Sequence, residues 1–184
     1  MSINLKDSLP DIIEGCLAGD RKAQKMLYEM FSGKMYAVCL RYADDEEEAS
    51  DMLQDGFIRV FENLSSFRHR GSFEGWVRRI MINTALEKFR RKKNFYSLND
   101  EEEGKVEPSE ENTLDDLFAK ELIGMIQELT PQYRMVFNLY ALEGYSHKEI
   151  AGMMGISEGT SKSNLARART ILQEKLKKLR REKR

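Results

Sequence analysis

The chain has 184 residues, 33% of them charged and 41% hydrophobic, with a formal net charge of −1. That balance belongs to a globular protein with a wet surface. The N-terminal stretch MSINLKDSLP has no basic region followed by an apolar run, and no segment approaches the ~18 consecutive apolar residues of a membrane span, so a secretion signal and membrane insertion are excluded and a cytoplasmic protein is expected.

Three prolines and 12 glycines leave room for long helices. Cys16 and Cys39 lie far apart, each among apolar residues at helical spacing, and read as reduced core cysteines. With only His69 and His147 beside them, no metal site and no cofactor is expected. Charge is unevenly distributed. Between residues 99 and 116 only Lys105 interrupts a run of acidic side chains, whereas residues 162–184 are strongly basic and a second basic run spans 90–93. Such asymmetry points to a polyanion partner, although basic residues also suit a solvated helix C-terminus.

From the N-terminus, Asp20 caps a segment in which Ala23, Met26, Leu27, Met30 and Phe31 recur at three-four spacing, continuing through Met35, Val38, Cys39 and Tyr42. The acidic stretch 44–48 suits the start of a helix whose stripe is Leu53, Phe57, Val60, Phe61 and Leu64. After a loop at 65–72, Phe73, Trp76, Val77, Ile80 and Met81 mark another helix, and Trp76 reads as core. Residues 97–113, polar and acidic, cannot bury enough apolar surface to fold alone. The expected organisation is therefore all-α: a helical domain at 5–96, a flexible acidic linker at 97–113 and a second helical domain at 114–182. In the second, Leu114, Leu117, Phe118, Leu122 and Ile126 form one amphipathic helix, and Thr130–Pro131 starts another that Gly144 ends.

The most specific signal is SHKEIAGMMGISEGTSKSNLARAR at 146–169. Ser146 and Glu149 form a capping box, Ile150, Ala151 and Met154 face inward, Gly155 makes the turn, Ile156 fills the corner and Ser157 caps the next helix. This order predicts a helix-turn-helix. On the second helix Leu165, Ala168, Leu172, Leu176 and Leu179 share the inward side. Ser163, Ala166, Arg167 and Thr170 lie opposite, with Lys162 and Asn164 on the flanks. Such a face suits the major groove, while the amides at 158–160 suit a backbone phosphate.

Two blocks, DMLQDGFIRVFENLSSFRHRGSFEGWVRRIMINTALEKFRRKK at 51–93 and LTPQYRMVFNLYALEGYSHKEIAGMMGISEGTSKSNLARARTIL at 129–172, resemble regions 2 and 4 of the extracytoplasmic-function sigma factors of bacterial RNA polymerase. The likeness runs from about Asp11 to Leu179 and fits the minimal two-domain type. It implies a non-enzymatic initiation factor that binds polymerase core through the β and β′ subunits and directs it to promoter DNA. By the same resemblance Asp51, Gln54, Asp55 and Arg59 form the docking surface for the core. Ser66, Phe67, Arg68, His69, Arg70, Arg79, Asn83, Arg90 and Arg91 capture the minus-ten element, with Arg78 a further cation. Thr160, Lys162, Ser163, Asn164, Ala166 and Arg167 read the minus-thirty-five element. An anti-sigma partner and a monomeric free state belong to the same expectation. The sequence departs from the usual pattern at Ser161, where many members carry an aliphatic residue, and at Lys162 and Asn164, where many carry arginine.

Three other functions would leave different marks in the sequence. A helix-turn-helix response regulator or one-component repressor requires a phosphoacceptor or ligand-binding domain, and the first block has no strand pattern for one. An enzyme acting on nucleic acid requires a phosphate loop, a paired-histidine site or a carboxylate cluster, and none stands out beyond the linker. An adaptor that reads no DNA has no use for the polar face at 162–167.

Overall fold

The computed structural model describes residues 8–68, 70–96 and 114–182; His69 and the acidic linker at 97–113 lie outside them. The described residues are helical and contain no strand. Eight α-helices follow one another: α1 (Leu9–Leu17), α2 (Arg21–Leu40), α3 (Glu46–Glu62), α4 (Phe73–Tyr96), α5 (Leu114–Gln127), α6 (Pro131–Phe137), α7 (His147–Met154) and α8 (Glu158–Glu182). They gather into two compact units, one of residues 8–39 and 47–85, the other of residues 40–46, 86–96 and 114–182.

Helix starts in the first unit are set by short polar side chains. The Asp11 carboxylate accepts hydrogen bonds from the Ser8 backbone N–H (3.0 Å) and hydroxyl (2.6 Å), which opens α1. Asp20 accepts from the Lys22 N–H at 2.8 Å, as the sequence leads one to expect, and Ser72 accepts from the Gly75 N–H at 3.1 Å to open α4. Ala23, Leu27, Phe31, Met35 and Val38 of α2 are buried, as are Met52, Leu53, Phe57 and Val60 of α3 and Phe73, Val77 and Met81 of α4. Cys16 and Cys39 are free and buried, and burial pushes the Cys16 thiol up to about 11. At the α3–α4 crossing Gly56 faces the Met81 sulfur, and a Cβ there would displace the flexible end of that methionine.

In the second unit α5 ends, and α6 begins at Pro131. Thr130, the residue before that helix and the N-cap its type suggests, makes no capping hydrogen bond with its hydroxyl. Proline at the first position and the Thr130 carbonyl, which accepts from the Arg134 N–H at 2.9 Å, start the helix instead. The segment after Phe137 also departs from a plain α-helix. Asn138–Leu142 forms a π turn, with the Glu143 N–H reaching back to the Asn138 carbonyl at 3.1 Å.

Arg134 is the polar centre of this unit. Only 4% exposed, it donates to the carbonyls of Ala43 (2.5 Å), Gln127 (2.8 Å) and Leu129 (3.1 Å) and pairs with Asp44 at 2.7 Å. Around it Asn138 Nδ2 donates to the Arg41 carbonyl at 2.6 Å and Gln127 Nε2 to the Leu40 carbonyl at 3.0 Å. A buried guanidinium is tolerable only with such a set of acceptors.

Two predictions follow from these contacts. Partial burial alone raises the Asp44 carboxyl, but Lys92 (2.7 Å) and Arg134 outweigh it and hold the group below the usual carboxylate range. Its stabilising contribution is therefore fully present above the unfolded value of about 3.9. It is lost as pH falls through the lower folded value, because the unfolded chain takes up the proton first. Urea unfolding of wild type against Asp44→Asn should show a stability gap at pH 6 that closes towards pH 3. Gly155 adopts φ 63 with nothing within 4 Å of a built Cβ. Gly155→Ala should accordingly cost about 1 kcal/mol in backbone strain alone, read by the same urea titration.

Candidate nucleic-acid interface

The helix-turn-helix forms as its sequence predicts. The Glu149 carboxylate accepts from the Ser146 N–H (2.8 Å) and hydroxyl (2.6 Å), and Ser146 in turn accepts from the Glu149 N–H, which closes the box. Those bonds lower the Glu149 carboxyl from its ordinary value. Gly155 ends α7 in the left-handed conformation, and the Thr160 N–H donates to the Ser157 hydroxyl at 3.0 Å to open α8. The Thr160 amide is thus committed to the cap. Ile150 and Met154 are buried on α7, while Ala151 and Ile156 are half-buried.

α8 divides sharply into two sides. Ser161, Leu165, Ala168 and Leu172 are buried, and Leu176 and Leu179 are half-buried. Thr160, Lys162, Ser163, Ala166, Arg167 and Thr170 are exposed, so the structure gathers five of the six predicted recognition residues on one open surface. Asn164 is the exception. It is 6% exposed, falls on the buried side four residues before Ala168, and its Nδ2 has no hydrogen-bond partner. Ser163 donates its hydroxyl to the Thr160 carbonyl at 3.0 Å, and Arg167 Nη1 donates to the Tyr133 hydroxyl at 3.1 Å.

What sequence reasoning missed is how α8 is gripped. Ser161 is wholly buried, with its hydroxyl 2.9 Å from His147 Nδ1. The His147 ring stacks on Tyr140 at 4.5 Å, and Arg169 lies over the other partner of that pair, 5.6 Å from the Tyr140 ring centre. A hydroxyl at 161 is therefore matched by a polar ring on α7. The signal was present as two separate oddities, an isolated histidine and a serine at an apolar position.

In the first unit, Ser66 ends a short 3-10 turn, Leu64–Ser66, and Ser66, Arg68 and Arg70 are exposed. Phe67 is half-buried against Phe73 (5.0 Å) and Trp76 (5.5 Å). Trp76 is likewise half-buried rather than a full core residue. On α4, Arg79 and Asn83 are exposed one turn apart, whereas Arg78 is half-buried. Arg90 and Arg91 lie further along the same helix, in the stretch that belongs to the second unit, and are exposed, with Arg90 Nε donating to the Met153 carbonyl at 3.0 Å. On α3, Asp51, Gln54 and Asp55 are exposed and Arg59 is half-buried. Their spacing places them on one side of the helix, and between them stands Ile58, 56% exposed, an apolar residue the charge pattern had hidden.

Comparison with known proteins fits this geometry. Residues 27–95 match the family described as Sigma-70 region 2, and residues 119–172 match Sigma-70, region 4. The ECF RNA polymerase sigma factor SigW of Bacillus subtilis is 30% identical over 173 residues, covering 88% of this chain and 92% of that protein. The RNA polymerase sigma-H factor of Pseudomonas aeruginosa is 30% identical over 183 residues, covering 93% and 95%. The chain also matches SigE of Mycolicibacterium smegmatis at 28% identity, covering 83% of this chain but 61% of that longer protein. Among solved structures, the sigma factor RpoE of Bartonella quintana, crystallised with the anti-sigma factor NepR, shares the fold with a TM-score of 0.54 at 22% identity, covering 83% of this chain and 96% of that one. The chain belongs to the extracytoplasmic-function sigma factors, initiation factors rather than catalysts, which direct bacterial RNA polymerase to promoters.

Proposed function

We propose that this sigma factor divides promoter reading between the exposed side of α8 and the 66–70 loop with α4, and binds polymerase core through α3. The observation that carries the reading is α8 itself. One side is buried and gripped by α6 and α7, and the opposite side offers Lys162, Ser163, Ala166 and Arg167 with no apolar side chain larger than alanine among them. A helix held that way can enter the major groove with a long cation, a hydroxyl and a small apolar contact aimed at base edges and phosphates. Lys162 serves as a phosphate contact and Arg167 as the base reader.

In the first unit, Arg68, Arg70 and Arg79 supply cations for a displaced strand, and Asn83 supplies an amide for an unstacked base. Phe67 contributes mainly to packing, because its ring is already engaged. Asp51, Gln54, Asp55 and Arg59 form a polar rim around Ile58, the arrangement of a small interface with an apolar centre. Each domain binds weakly alone, and joint docking on the polymerase makes the second DNA contact effectively intramolecular. In this reading the protein acts in the cytoplasm and is a monomer when free. An anti-sigma partner, as RpoE of Bartonella quintana has in NepR, belongs to the same reading.

Transcription in vitro with bacterial core polymerase and pooled genomic fragments tests the whole reading. Discrete start sites that appear only with this protein support it, and DNA shifts without specific transcripts favour a simple repressor. Two variants test the parts. Ile58→Asp should weaken core binding about tenfold or more in a fluorescence titration while leaving the melting temperature near that of wild type, because the side chain is exposed. Lys162→Ala should weaken holoenzyme binding equally on all upstream sequences and lower the slope of log K against log salt by about 1.

A further inference from the structure

We propose that Tyr133 is a positioning residue for Arg167, one that sets upstream-element specificity without touching DNA. The inference rests on the reading of Arg167 as the base contact. Tyr133 lies at the third position of α6, 34 residues away in sequence, and its ring is half-buried against the cluster of Met125, Leu129, Ala168 and Leu172. The ring is therefore fixed by packing, and the phenol oxygen at its rim is a fixed acceptor. Arg167 sits one residue before the wholly buried Ala168, so its Cα is fixed as well. Its long stem is the only free part, and a free arginine stem loses much rotamer entropy on binding.

The hydrogen bond from Arg167 Nη1 to the Tyr133 hydroxyl removes part of that freedom before DNA arrives. It also selects an edge. A guanidinium has five donors in one plane, and engaging Nη1 leaves the Nε–Nη2 edge, a fork suited to the paired acceptors O6 and N7 of guanine. The neighbouring Ala166 is exposed and small, which leaves the approach to that edge open. Tyr133 thus orients the reading group and is not itself a reader. A phosphate contact by Arg167 would gain much less from such orientation, since phosphate accepts donors from many directions.

The test uses holoenzyme assembled on bacterial core polymerase and a promoter recovered by transcription of genomic fragments, together with a panel carrying each single-base replacement in the upstream element. Open-complex formation is measured for wild type, Tyr133→Phe, Arg167→Ala and the double variant. Tyr133→Phe keeps the ring and its packing and deletes only the acceptor. Discrimination at one base position should fall about fivefold, that of a lost hydrogen bond, with the other positions and the salt slope unchanged. Arg167→Ala should abolish discrimination at the same position, and adding Tyr133→Phe to it should change nothing more. If Arg167→Ala loses discrimination while Tyr133→Phe keeps it, positioning is overturned and the base-reading role stands. If Arg167→Ala keeps full discrimination, the base-reading role fails and positioning fails with it. A uniform loss over all sequences with a lowered melting temperature for Tyr133→Phe assigns the phenol a structural role and also overturns the proposal.

Discussion

A helix that reads DNA must be gripped along one side and bare along the other, and in this protein everything downstream of α6 serves that constraint. Gly155 reverses the chain within a single left-handed residue, so α8 leaves α7 at once and crosses it closely. Burial of Leu165 and Leu172 contributes about 1.5–3 kcal/mol each, which anchors the helix along its length. The His147–Ser161 hydrogen bond holds its rotation near the N-terminal end, where the proposed reading residues stand. A slip of α8 by one residue would bury Lys162 and expose Ser161, at the cost of an unpaired charge in the hairpin.

A second polar centre organises the rest of that unit. Arg134 reaches backbone carbonyls from two stretches of chain and one carboxylate, and each acceptor offsets part of the cost of burying the guanidinium. The π turn at Asn138–Leu142 lies just after it, and the Asn138 amide extends the same set of contacts to the Arg41 carbonyl. Such a network specifies geometry more than it adds stability, because every donor must find its own acceptor. Arg134 is therefore structural, although a basic residue in a DNA-binding domain invites a phosphate role.

The first unit carries its chemistry on exposed helix faces and a short loop. Its core is built from apolar stripes at regular spacing, and Gly56 faces Met81 where α3 and α4 cross. The outward residues of α3 combine acidic and amide groups with one bare isoleucine. In the proposed core-docking surface, charge at the rim favours fast and specific encounter, while the apolar centre supplies affinity. The aromatic contacts of Phe67 with Phe73 and Trp76 brace the loop that bears Arg68 and Arg70.

The sequence by itself determined the helical class, most of the buried stripes, the capping box at Ser146 and the turn at Gly155, because these depend on local spacing and on the conformations single residues allow; Met30, read on the α2 stripe, is 49% exposed. It also set Ser163, Ala166, Arg167 and Thr170 on one side of α8, since a helical period of 3.6 fixes that division once the leucines are known to face inward. Only the tertiary structure decided the flanks. Asn164 and Lys162 look equivalent on a wheel, yet packing against α6 and α7 buries the first and leaves the second in solvent. Ile58 was missed for another reason: it lies off the apolar stripe of α3, among charged residues, and its exposure follows from packing alone. The pairings of Arg134 with Ala43, of His147 with Ser161 and of Arg167 with Tyr133 were not legible, because the partners lie 91, 14 and 34 residues apart in sequence and only folding brings them within hydrogen-bond reach.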